Sequence, residues 1–333
     1  MTTSAPDPAG PTGPTVLTVL SAAGDHRPPL LDTLAERLEI RHTDAAGLGD
    51  AVVGADALLL WDFFSTAVSD VWERADRLRW IHVAAAGVDK LLFPGLVASG
   101  VTVTNARGVF DGPIAEYVLG MCLARAKRLP DLLGDQATRT WRHRDTDSLA
   151  GSRALVVGTG SIGREIARLL RAVGVEVRGA GRSARGGDPD FGDVLGSADL
   201  PSYVGEFDHV VLVTPLTEQT RGLVGRDVLA AMKPSAHLVN VGRGPVVDEA
   251  ALVAALREGR PAAASLDVFE NEPLPEASPL WSMPQVIVTP HMSGDARGWE
   301  DVLARQFVDN AQRWLDGEPL TNVVDKRLGF VPS

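Results

Sequence analysis

The stretch that decides the fold lies in the middle of the chain, where residues 153–163 read Arg-Ala-Leu-Val-Val-Gly-Thr-Gly-Ser-Ile-Gly. Its apolar first half predicts a buried strand, and an amphipathic helix is predicted to follow. Between them Gly158, Gly160 and Gly163 form the pattern G-x-G-x-x-G, whose glycines permit a tight turn and close approach to a pyrophosphate. The helix N-terminus then directs free amides at the phosphates. The loop residues predicted to contact a dinucleotide are Gly158, Thr159, Gly160, Ser161, Ile162 and Gly163.

The same alternation of apolar strands and amphipathic helices extends over most of the chain. Such alternation is typical of parallel sheets covered by helices on both faces, so we predict an α/β protein with doubly wound, Rossmann-like domains. A length of 333 residues suits two such domains. The predicted strands are 16–20, 57–61, 80–83, 101–104, 153–157, 175–178, 209–213, 237–240, 262–266 and 286–288. The predicted helices are 30–38, 68–75, 113–129, 162–172, 226–232, 249–258 and 297–315.

Composition limits the classes of partner and compartment. A formal net charge of −11 argues against a nucleic-acid partner, which needs clustered Lys and Arg. No apolar run reaches the length of a membrane span. The single cysteine, Cys122, cannot form a disulfide within the chain and is predicted to be a buried structural residue. Residues 1–14 are rich in Pro, Gly and Thr and predict a disordered tail rather than a signal peptide. These features favour the cytoplasm.

The choice of nicotinamide cofactor depends on the end of the strand after the glycine loop. Residues 177–185 read Val-Arg-Gly-Ala-Gly-Arg-Ser-Ala-Arg, with no acidic residue to bond a ribose 2′-OH. The guanidinium groups of Arg182 and Arg185, with the hydroxyl of Ser183, suit a 2′-phosphate instead. We therefore expect NADP(H), with NAD(H) left open because these residues would also fit a solvated loop.

Three later segments each place a chemically useful side chain directly after an apolar strand. They are residues 238–248, which contain Arg243; residues 266–275, which contain Glu272; and residues 288–294, which contain His291. Ligands of open α/β sheets bind beyond the carboxyl ends of strands. We therefore expect Arg243, Glu272 and His291 to meet in one catalytic site.

At this point the chain resembles the D-isomer-specific 2-hydroxyacid dehydrogenases over nearly its whole length from residue 15. The resemblance includes the glycine loop, residues 214–222 and the three segments with Arg, Glu and His. It implies two similar domains with the active site in the cleft between them. It also implies a dinucleotide-binding domain, residues 107–295, inserted into a discontinuous substrate domain, residues 15–106 and 296–333.

The resemblance implies further contacts. The loop at residues 83–89 resembles the family's substrate loop, and the implied substrate-binding residues are Ala85, Ala86, Gly87, Arg243 and His291. The additional residues implied for the cofactor are Thr214, Pro215, Thr220, Val241, Gly242, Arg243, Asp267, His291 and Gly294, with Asp267 near the nicotinamide carboxamide. Trp61, Phe63 and Phe64 either line the substrate pocket or belong to the core.

The chemistry of these residue types matches the reduction of a small 2-oxo acid to a D-2-hydroxy acid. A protonated His291 could donate to the carbonyl oxygen, with Glu272 stabilising and orienting the imidazolium. Arg243 could bind the substrate carboxylate. We expect a glyoxylate or hydroxypyruvate type of reductase. Two alternatives stay open: a phosphite-type dehydrogenase of the same family, and a nucleotide-sensing corepressor-like protein on the same fold.

Two further expectations concern metals and assembly. We predict no metal site, because the histidines are not spaced as ligands; His26, His42, His82, His143, His209 and His237 are assigned structural or surface roles. A homodimer is expected, because the family pairs through the helix that follows Pro113. Its predicted pairing face consists of Ile114, Tyr117, Val118 and Met121.

Overall fold

The computed structural model describes residues 14–332, apart from residues 23, 25 and 26. Residues 1–13 of the predicted tail therefore lie outside the described residues, and so does His26. The chain divides into two compact units. The first comprises the residues up to Arg107 together with Gly298–Pro332, and the second comprises Gly108–Arg297.

The first unit is built on a five-stranded sheet in the order β2-β1-β3-β4-β5. All its neighbouring strands are parallel, and its apolar side chains, such as Leu20, Leu58 and Ile81, are fully buried. The strands are β1 (Thr15–Leu20), β2 (Leu38–Thr43), β3 (Ala57–Leu60), β4 (Trp80–Val83) and β5 (Thr102–Asn105). The helices are α1 (Leu48–Ala51), α2 (Ala67–Asp70), α3 (Pro94–Ala98) and α10 (Trp299–Leu315).

The second unit is built on an eight-stranded sheet in the order β13-β12-β11-β10-β6-β7-β9-β8. Every neighbouring pair is parallel except β8–β9, which is antiparallel. The strands are β6 (Arg153–Val157), β7 (Glu176–Gly181), β8 (Arg185–Asp188), β9 (Gly192–Gly196), β10 (His209–Leu212), β11 (His237–Asn240), β12 (Ala263–Leu266) and β13 (Val286–Val288). The helices are α4 (Asp111–Ala126), α5 (Leu129–Ala137), α6 (Ser161–Ala172), α7 (Leu200–Tyr203), α8 (Arg226–Ala231) and α9 (Glu249–Arg257).

The order of this second sheet determines where a ligand can bind. The chain runs from β6 to β7 on one side and later returns to place β10 on the other side of β6. The loops after β6 and β10 therefore diverge and leave a crevice at the carboxyl ends of the strands, the usual ligand position in doubly wound sheets. The glycine loop follows β6, and Thr214 follows β10.

Some elements differ from the sequence prediction. The helix predicted over 30–38 is wrong: the segment forms a short 3₁₀ helix at Leu31–Leu34 and then a turn, and β2 begins at Leu38. Parallel pairing with β1 starts at Leu38, so the chain is already extended where the predicted helix would end. The hairpin β8–β9 was not predicted, because it is rich in glycine and has little apolar periodicity. Helix α5 was not predicted either.

The predicted pairing face of α4 needs correction. Ile114 and Val118 are buried, with exposed fractions of 8% and 0%. The hydroxyl of Tyr117 bonds Thr289 within the same unit. Ile114 and Val118 therefore pack inside the second unit, whereas Tyr117 and Met121 are only partly buried. Between residues 120 and 145, the large apolar side chains that are exposed are Leu123, Leu129, Leu132, Leu133 and Trp141.

Candidate active site

The glycine loop has the geometry that dinucleotide binding requires. A β-carbon added at Gly163 would lie 1.9 Å from the carbonyl oxygen of Gly158, so only glycine lets α6 start this close to β6. Gly158 itself has φ +118°, a conformation that side chains rarely adopt. Helix α6 then begins after Gly160, where an added β-carbon would meet no atom within 4 Å. The loop is therefore tight at both ends and open at its centre.

Thr214 supplies an independent test of whether a ligand fits here. Its hydroxyl oxygen is buried and has no hydrogen-bond partner within the described chain. A β-carbon added at Gly242 would lie only 2.9 Å from the carbonyl oxygen of Thr214, so the loops after β10 and β11 approach each other closely. A buried hydroxyl without a partner is costly unless a ligand satisfies it. Thr214 thus fits the dinucleotide site that the glycine loop predicts.

The arginine and glutamate segments are held against each other through their backbones. Gly244 leaves no room for a side chain: an added β-carbon would lie 1.8 Å from the carbonyl carbon of Phe269. On the arginine side, the buried Asn240 amide donates to the carbonyl of Arg243 at 3.1 Å and accepts from the Gly242 amide. The guanidinium of Arg243 donates to the carbonyl of Gly242 at 2.8 Å.

Glu272 and His291 form a hydrogen-bonded pair. The Nδ1 atom of His291 lies 2.8 Å from Oε2 of Glu272, and the two side chains are 30% and 25% exposed. The other carboxylate oxygen of Glu272 accepts from the amide of Phe269 at 3.0 Å. His291 has φ 52°, in the left-handed region, and its amide donates to the carbonyl of Asp267. The backbone at His291 is thus bonded to Asp267, while its imidazole bonds Glu272.

The electrostatics of this pair favour an ionised glutamate. Burial opposes ionisation of Glu272, but the hydrogen bond to His291, the amide of Phe269 and the positive charges of His291 and Arg243 outweigh it. The pKa of Glu272 is therefore lowered from its usual value. Because a carboxylate can only accept, Nδ1 of His291 carries the shared hydrogen. The charge of Arg243 acts on the same carboxylate, which brings the three predicted catalytic residues into one site.

Asp267 fixes the loop that carries His291. Its carboxylate is 1% exposed and accepts the hydroxyl of Thr289 at 2.6 Å and the amides of Met292 and Ser293 at 3.0 Å and 2.9 Å. Tyr117 extends this network by bonding Thr289 at 2.7 Å. Burial, with the nearby charge of Asp267, raises the pKa of Tyr117 to about 12 despite its bond to Thr289.

Sequence reasoning missed Tyr117 and Thr289 as supporting residues. The only signal for Thr289 was its place two residues before His291. Tyr117 lies on a distant helix, so no sequence spacing links it to this loop. The predicted contact between Asp267 and a nicotinamide carboxamide stays a prediction.

The end of β7 holds the residues predicted to choose the cofactor. Gly181 ends this strand, and a β-carbon added there would lie 3.2 Å from a guanidinium nitrogen of Arg185. Arg185 also donates to the hydroxyl of Thr159 in the glycine loop at 3.0 Å and to Asp188 at 2.7 Å. The guanidinium thus occupies the region where an NAD-type acid would extend from the strand end. Arg182 is exposed on the same turn, with Ser183 beside it.

Asp188 is an acidic residue of this region that the sequence prediction did not use. Its side chain is only 3% exposed, and Arg164 bonds both of its oxygens at 2.8 Å and 2.9 Å. The guanidinium of Arg164, supported by that of Arg185, holds the pKa of Asp188 far below its usual range against the effect of burial. This carboxylate is therefore committed to two arginines.

The remaining predicted residues of the second unit have separate surroundings. The hydroxyl of Thr220 donates to the carbonyl of Pro215 at 2.7 Å and accepts from the amide of Thr217, so it stabilises its own turn. Val241 is buried beside Gly242 at the end of β11. A β-carbon added at Gly294 would lie 2.8 Å from the ring of Phe110, so this glycine permits close packing. Ser161 donates to Asp111, and Ile162 is partly buried on α6.

The loop that resembles a substrate loop belongs to the first unit. The carbonyl of Ala85 accepts from the amide of Ala106 at 3.0 Å, and that of Ala86 accepts from the side-chain amide of Asn105 at 2.5 Å. With Gly87, these residues are partly buried and follow the carboxyl end of β4. The loop is thus fixed to the end of the neighbouring strand β5.

The three aromatic residues of the first unit divide between the core and the surface. Trp61 is 6% exposed and belongs to the core, and Phe63 packs against the core. Phe64 is 47% exposed, with the ammonium of Lys90 over its ring.

Comparisons with known proteins agree with the class of enzyme that the site geometry indicates. A model of the D-isomer specific 2-hydroxyacid dehydrogenase NAD-binding domain matches residues 119–293. A glyoxylate reductase of Aeropyrum pernix is 34% identical over 272 residues, covering 78% of this chain and 80% of that relative.

Solved structures agree with the sequence matches. A D-isomer specific 2-hydroxyacid dehydrogenase from Xanthobacter autotrophicus Py2, in complex with NADPH and MES, is 34% identical with a TM-score of 0.81. That likeness covers 96% of this chain and 100% of the solved one. An NADPH-dependent glyoxylate/hydroxypyruvate reductase from Sinorhizobium meliloti, in complex with NADP and sulfate, is 28% identical with a TM-score of 0.81, covering 95% and 100%.

The chain belongs to the D-isomer-specific 2-hydroxyacid dehydrogenase family. The predicted family, the α/β Rossmann-like fold class and the predicted class of enzyme, an oxidoreductase acting on a CH–OH group, are confirmed. The phosphite-type and corepressor-like alternatives are not favoured by these relatives. Within the part of the chain that the structure describes, no helix has the length and apolar character needed to cross a bilayer.

Proposed function

We propose that this protein reduces small 2-oxo acids of the glyoxylate and hydroxypyruvate type to D-2-hydroxy acids, with NADPH as the preferred reductant. The observation that carries the proposal is the 2.8 Å bond between His291 and Glu272, next to the charge of Arg243. An imidazole, its carboxylate partner and a guanidinium are the groups that a 2-oxo acid reduction needs. Their position beyond strand ends of a dinucleotide-type sheet supports the assignment.

The chemical step requires a hydride and a proton. When bound, the reduced nicotinamide supplies the hydride to the carbonyl carbon. His291 supplies the proton: its Nδ1 atom is committed to Glu272, and its Nε2 atom is assigned to the substrate oxygen. As negative charge develops on that oxygen, an N–H bond of the imidazolium breaks and an O–H bond of the hydroxy acid forms. In the reverse direction the neutral imidazole takes the proton back.

Glu272 and Arg243 prepare this proton transfer. The ionised Glu272 stabilises the imidazolium before the transfer and fixes the ring through the Nδ1 bond. Arg243 binds the substrate carboxylate, for which a planar guanidinium offers two parallel donors. The same cation stabilises charge that develops on the neighbouring carbonyl oxygen. The reaction therefore uses one positive group for binding and one for proton donation.

The preference for NADPH rests on the end of β7. A strand that ends in Gly181 offers no carboxylate to a ribose 2′-OH, and a β-carbon added at Gly181 would lie 3.2 Å from a guanidinium nitrogen of Arg185. Arg185 and Arg182 are therefore proposed to bind the 2′-phosphate, together with the hydroxyl of Ser183. The relatives from Xanthobacter and Sinorhizobium, which were solved with NADPH and NADP, support this choice. NADH remains a second, weaker substrate in this proposal.

The two predicted domains are proposed to have different roles. The predicted dinucleotide-binding domain, 107–295, holds the nucleotide and the catalytic residues, and the predicted substrate domain, 15–106 and 296–333, contributes the loop of Ala85, Ala86 and Gly87 to the substrate carboxylate. Glycine and alanine at these positions allow backbone groups to approach a small ligand.

The protein is also proposed to be a cytoplasmic homodimer. Support comes from the exposed apolar residues on and after α5, including Leu133 at 64% and Trp141 at 100% exposure. An apolar surface of this kind is typical of association sites. Light scattering coupled to size exclusion should give twice the chain mass, and Leu133→Lys should shift the protein toward the monomer. A wild-type protein that elutes as a monomer at micromolar concentration would contradict this assembly.

The experiment that tests the function is a reduction assay followed by nicotinamide absorbance. Glyoxylate, hydroxypyruvate and pyruvate are each supplied with NADPH or NADH, and phosphite is supplied with NADP in the oxidative direction. We expect kcat/KM to be highest for glyoxylate or hydroxypyruvate with NADPH. Turnover of phosphite without reduction of any 2-oxo acid would overturn the proposal in favour of the phosphite type. Absence of all turnover, together with tight nucleotide binding, would favour the corepressor-like alternative.

A further inference from the structure

A second group of ligand-type side chains lies in the core of the second unit. Cys122 on α4, His209 on β10 and His237 on β11 place one sulphur and two nitrogen atoms within 4.8 Å of one another. All three are buried, with exposed fractions of 0%, 6% and 1%. We propose that this Cys-His-His cluster binds one transition-metal ion of the zinc type. The ion would join α4 to two strands of the sheet.

The cluster is separate from the candidate active site. His209 and His237 are the first residues of β10 and β11, whereas the active-site loops follow the carboxyl ends of the strands. The sequence prediction of no metal site rested on the spacing of the histidines. That reasoning was incomplete, because parallel pairing places His209 directly beside His237 although 28 residues separate them.

The distance between the two imidazoles fits a shared ion. The Nδ1 atoms of His209 and His237 lie 3.3 Å apart. Two nitrogens bound at about 2.0–2.1 Å to one tetrahedral ion lie about 3.3–3.4 Å apart, whereas a good N–H···N hydrogen bond is nearer 3.0 Å. In the same geometry a thiolate lies about 3.6 Å from each nitrogen. The sulphur of Cys122 lies within 4.8 Å of a ring nitrogen of each histidine, so it has to move toward them to bind the same ion.

Ser265 provides the outer partner that a metal-binding histidine usually has. The Nε2 atom of His237 lies 2.9 Å from the hydroxyl oxygen of Ser265, which is itself buried. When Nδ1 binds an ion, Nε2 carries the ring hydrogen and donates it to this oxygen. Outer hydrogen bonds of this type fix the tautomer and the orientation of the ring.

The charges around the cluster act on a bound ion in both directions. Formation of a metal–sulphur bond requires the thiol of Cys122 to release its proton, which leaves one thiolate and two neutral imidazoles as ligands. The charge of Arg125 opposes a cation here, and that of Asp208 favours one.

The donor set determines the class of metal. One thiolate with two imidazoles selects zinc or a similar soft ion over magnesium and calcium, which prefer oxygen ligands. The site lies inside the core and links three elements, so a bound ion would act on the stability of the second unit. The inference is independent of the proposed reduction, so either can fail alone.

Cobalt(II) is a suitable probe because Cys122 is the only cysteine in the sequence. A thiolate-to-cobalt charge-transfer band can therefore arise only from this residue. Since the cluster is buried, the full chain is refolded under reducing conditions with one equivalent of cobalt(II) or zinc(II), then washed with a weak chelator. Absorption, metal content and the melting temperature are measured on wild type, on Cys122→Ser and on the control His42→Ala, which changes an exposed histidine of the first unit.

We expect one retained ion per chain, a charge-transfer band and a higher melting temperature for wild type and for His42→Ala. Cys122→Ser should lose the band and retain less than about a tenth of the metal, while its circular dichroism spectrum stays that of a folded protein. Ser265→Ala should weaken metal retention by about ten-fold while keeping the band. The proposal is overturned if the folded wild type retains no ion, or if Cys122→Ser retains as much as wild type. In that case the histidines are only a hydrogen-bonded neutral pair.

Discussion

Two buried aspartates, Asp267 and Asp188, lie toward opposite edges of the same sheet and have different hydrogen-bond partners. Asp267 is bound by a hydroxyl and two backbone amides, which are neutral donors. Asp188 is bound by the guanidinium groups of Arg164 and Arg185. The first arrangement fixes a loop, and among the described residues no cationic side chain forms an ion pair with this aspartate. The second neutralises the aspartate with side chains, one of which is proposed to bind the cofactor.

This difference shows how each region combines rigidity with function. On the catalytic side, position and charge are separate: Asp267 holds the loop, and Glu272 supplies the charge that acts on His291. On the cofactor side, Arg185 supplies both position and charge. Its ion pair with Asp188 holds the guanidinium in place, and the same carboxylate competes with the 2′-phosphate for that guanidinium. Substitutions should therefore affect turnover on the first side, and cofactor choice and stability on the second.

The largest effect is expected from removal of the proton donor on the catalytic side. His291→Ala should lower the single-turnover rate of glyoxylate reduction by about 10²- to 10⁴-fold, the usual contribution of a general acid. The NADPH dissociation constant should change by less than about two-fold, because the glycine loop and Arg185 are untouched. His42→Ala is the matched control. A rate near that of wild type would exclude His291 as the donor.

Asp267→Asn tests whether a buried aspartate with neutral partners is needed for turnover. The new amide group would face hydrogens of Thr289, Met292 or Ser293, and the loop of His291 should lose its position. We expect kcat to fall by about 50-fold, with a smaller change in NADPH affinity. Asp50→Asn, at a side chain that is 91% exposed, is the control. Unchanged kcat in a folded Asp267→Asn protein would contradict the positioning role.

On the cofactor side, Arg185→Ala should weaken NADPH by about ten- to thirty-fold and leave NADH nearly unchanged, because only the 2′-phosphate loses a partner. Arg182→Ala should act in the same direction. Fluorescence titration with both nucleotides measures the ratio. Arg168→Ala, which changes an arginine that is 67% exposed on α6, serves as the control. Equal losses for NADPH and NADH would rule against a phosphate contact.

The smallest effect concerns stability and its dependence on pH. Because the native pKa of Asp188 is lowered, its ionised form stabilises the fold above its unfolded pKa, and this contribution is lost as the pH falls. Asp188→Asn should reduce the free energy of unfolding by about 1 kcal/mol at neutral pH. The difference from wild type should shrink below about pH 4. Urea unfolding at several pH values measures this, and a difference that grows on acidification would have the wrong sign.

The sequence predicted the active-site side of the sheet better than the cofactor side. Arg243, Glu272 and His291 each follow a strongly apolar strand, so parallel topology alone predicts that they meet. The support from Tyr117 depends on the packing of α4, which has no sequence signature. The hairpin of Arg185 and Asp188 follows a glycine-rich segment without periodicity, so the acid that binds both arginines could not be assigned. The Cys-His-His cluster was missed for a different reason: its residues lie on three elements, far apart in sequence, and only the packing brings them together.

The contact of Gly244 with Phe269 has a consequence for motion during turnover. Since not even a methyl group fits between them, the backbone segments that carry Arg243 and Glu272 cannot separate without breaking this packing. These two segments therefore move as one part during turnover. A substitution at Gly244 would displace the bases of both side chains at once.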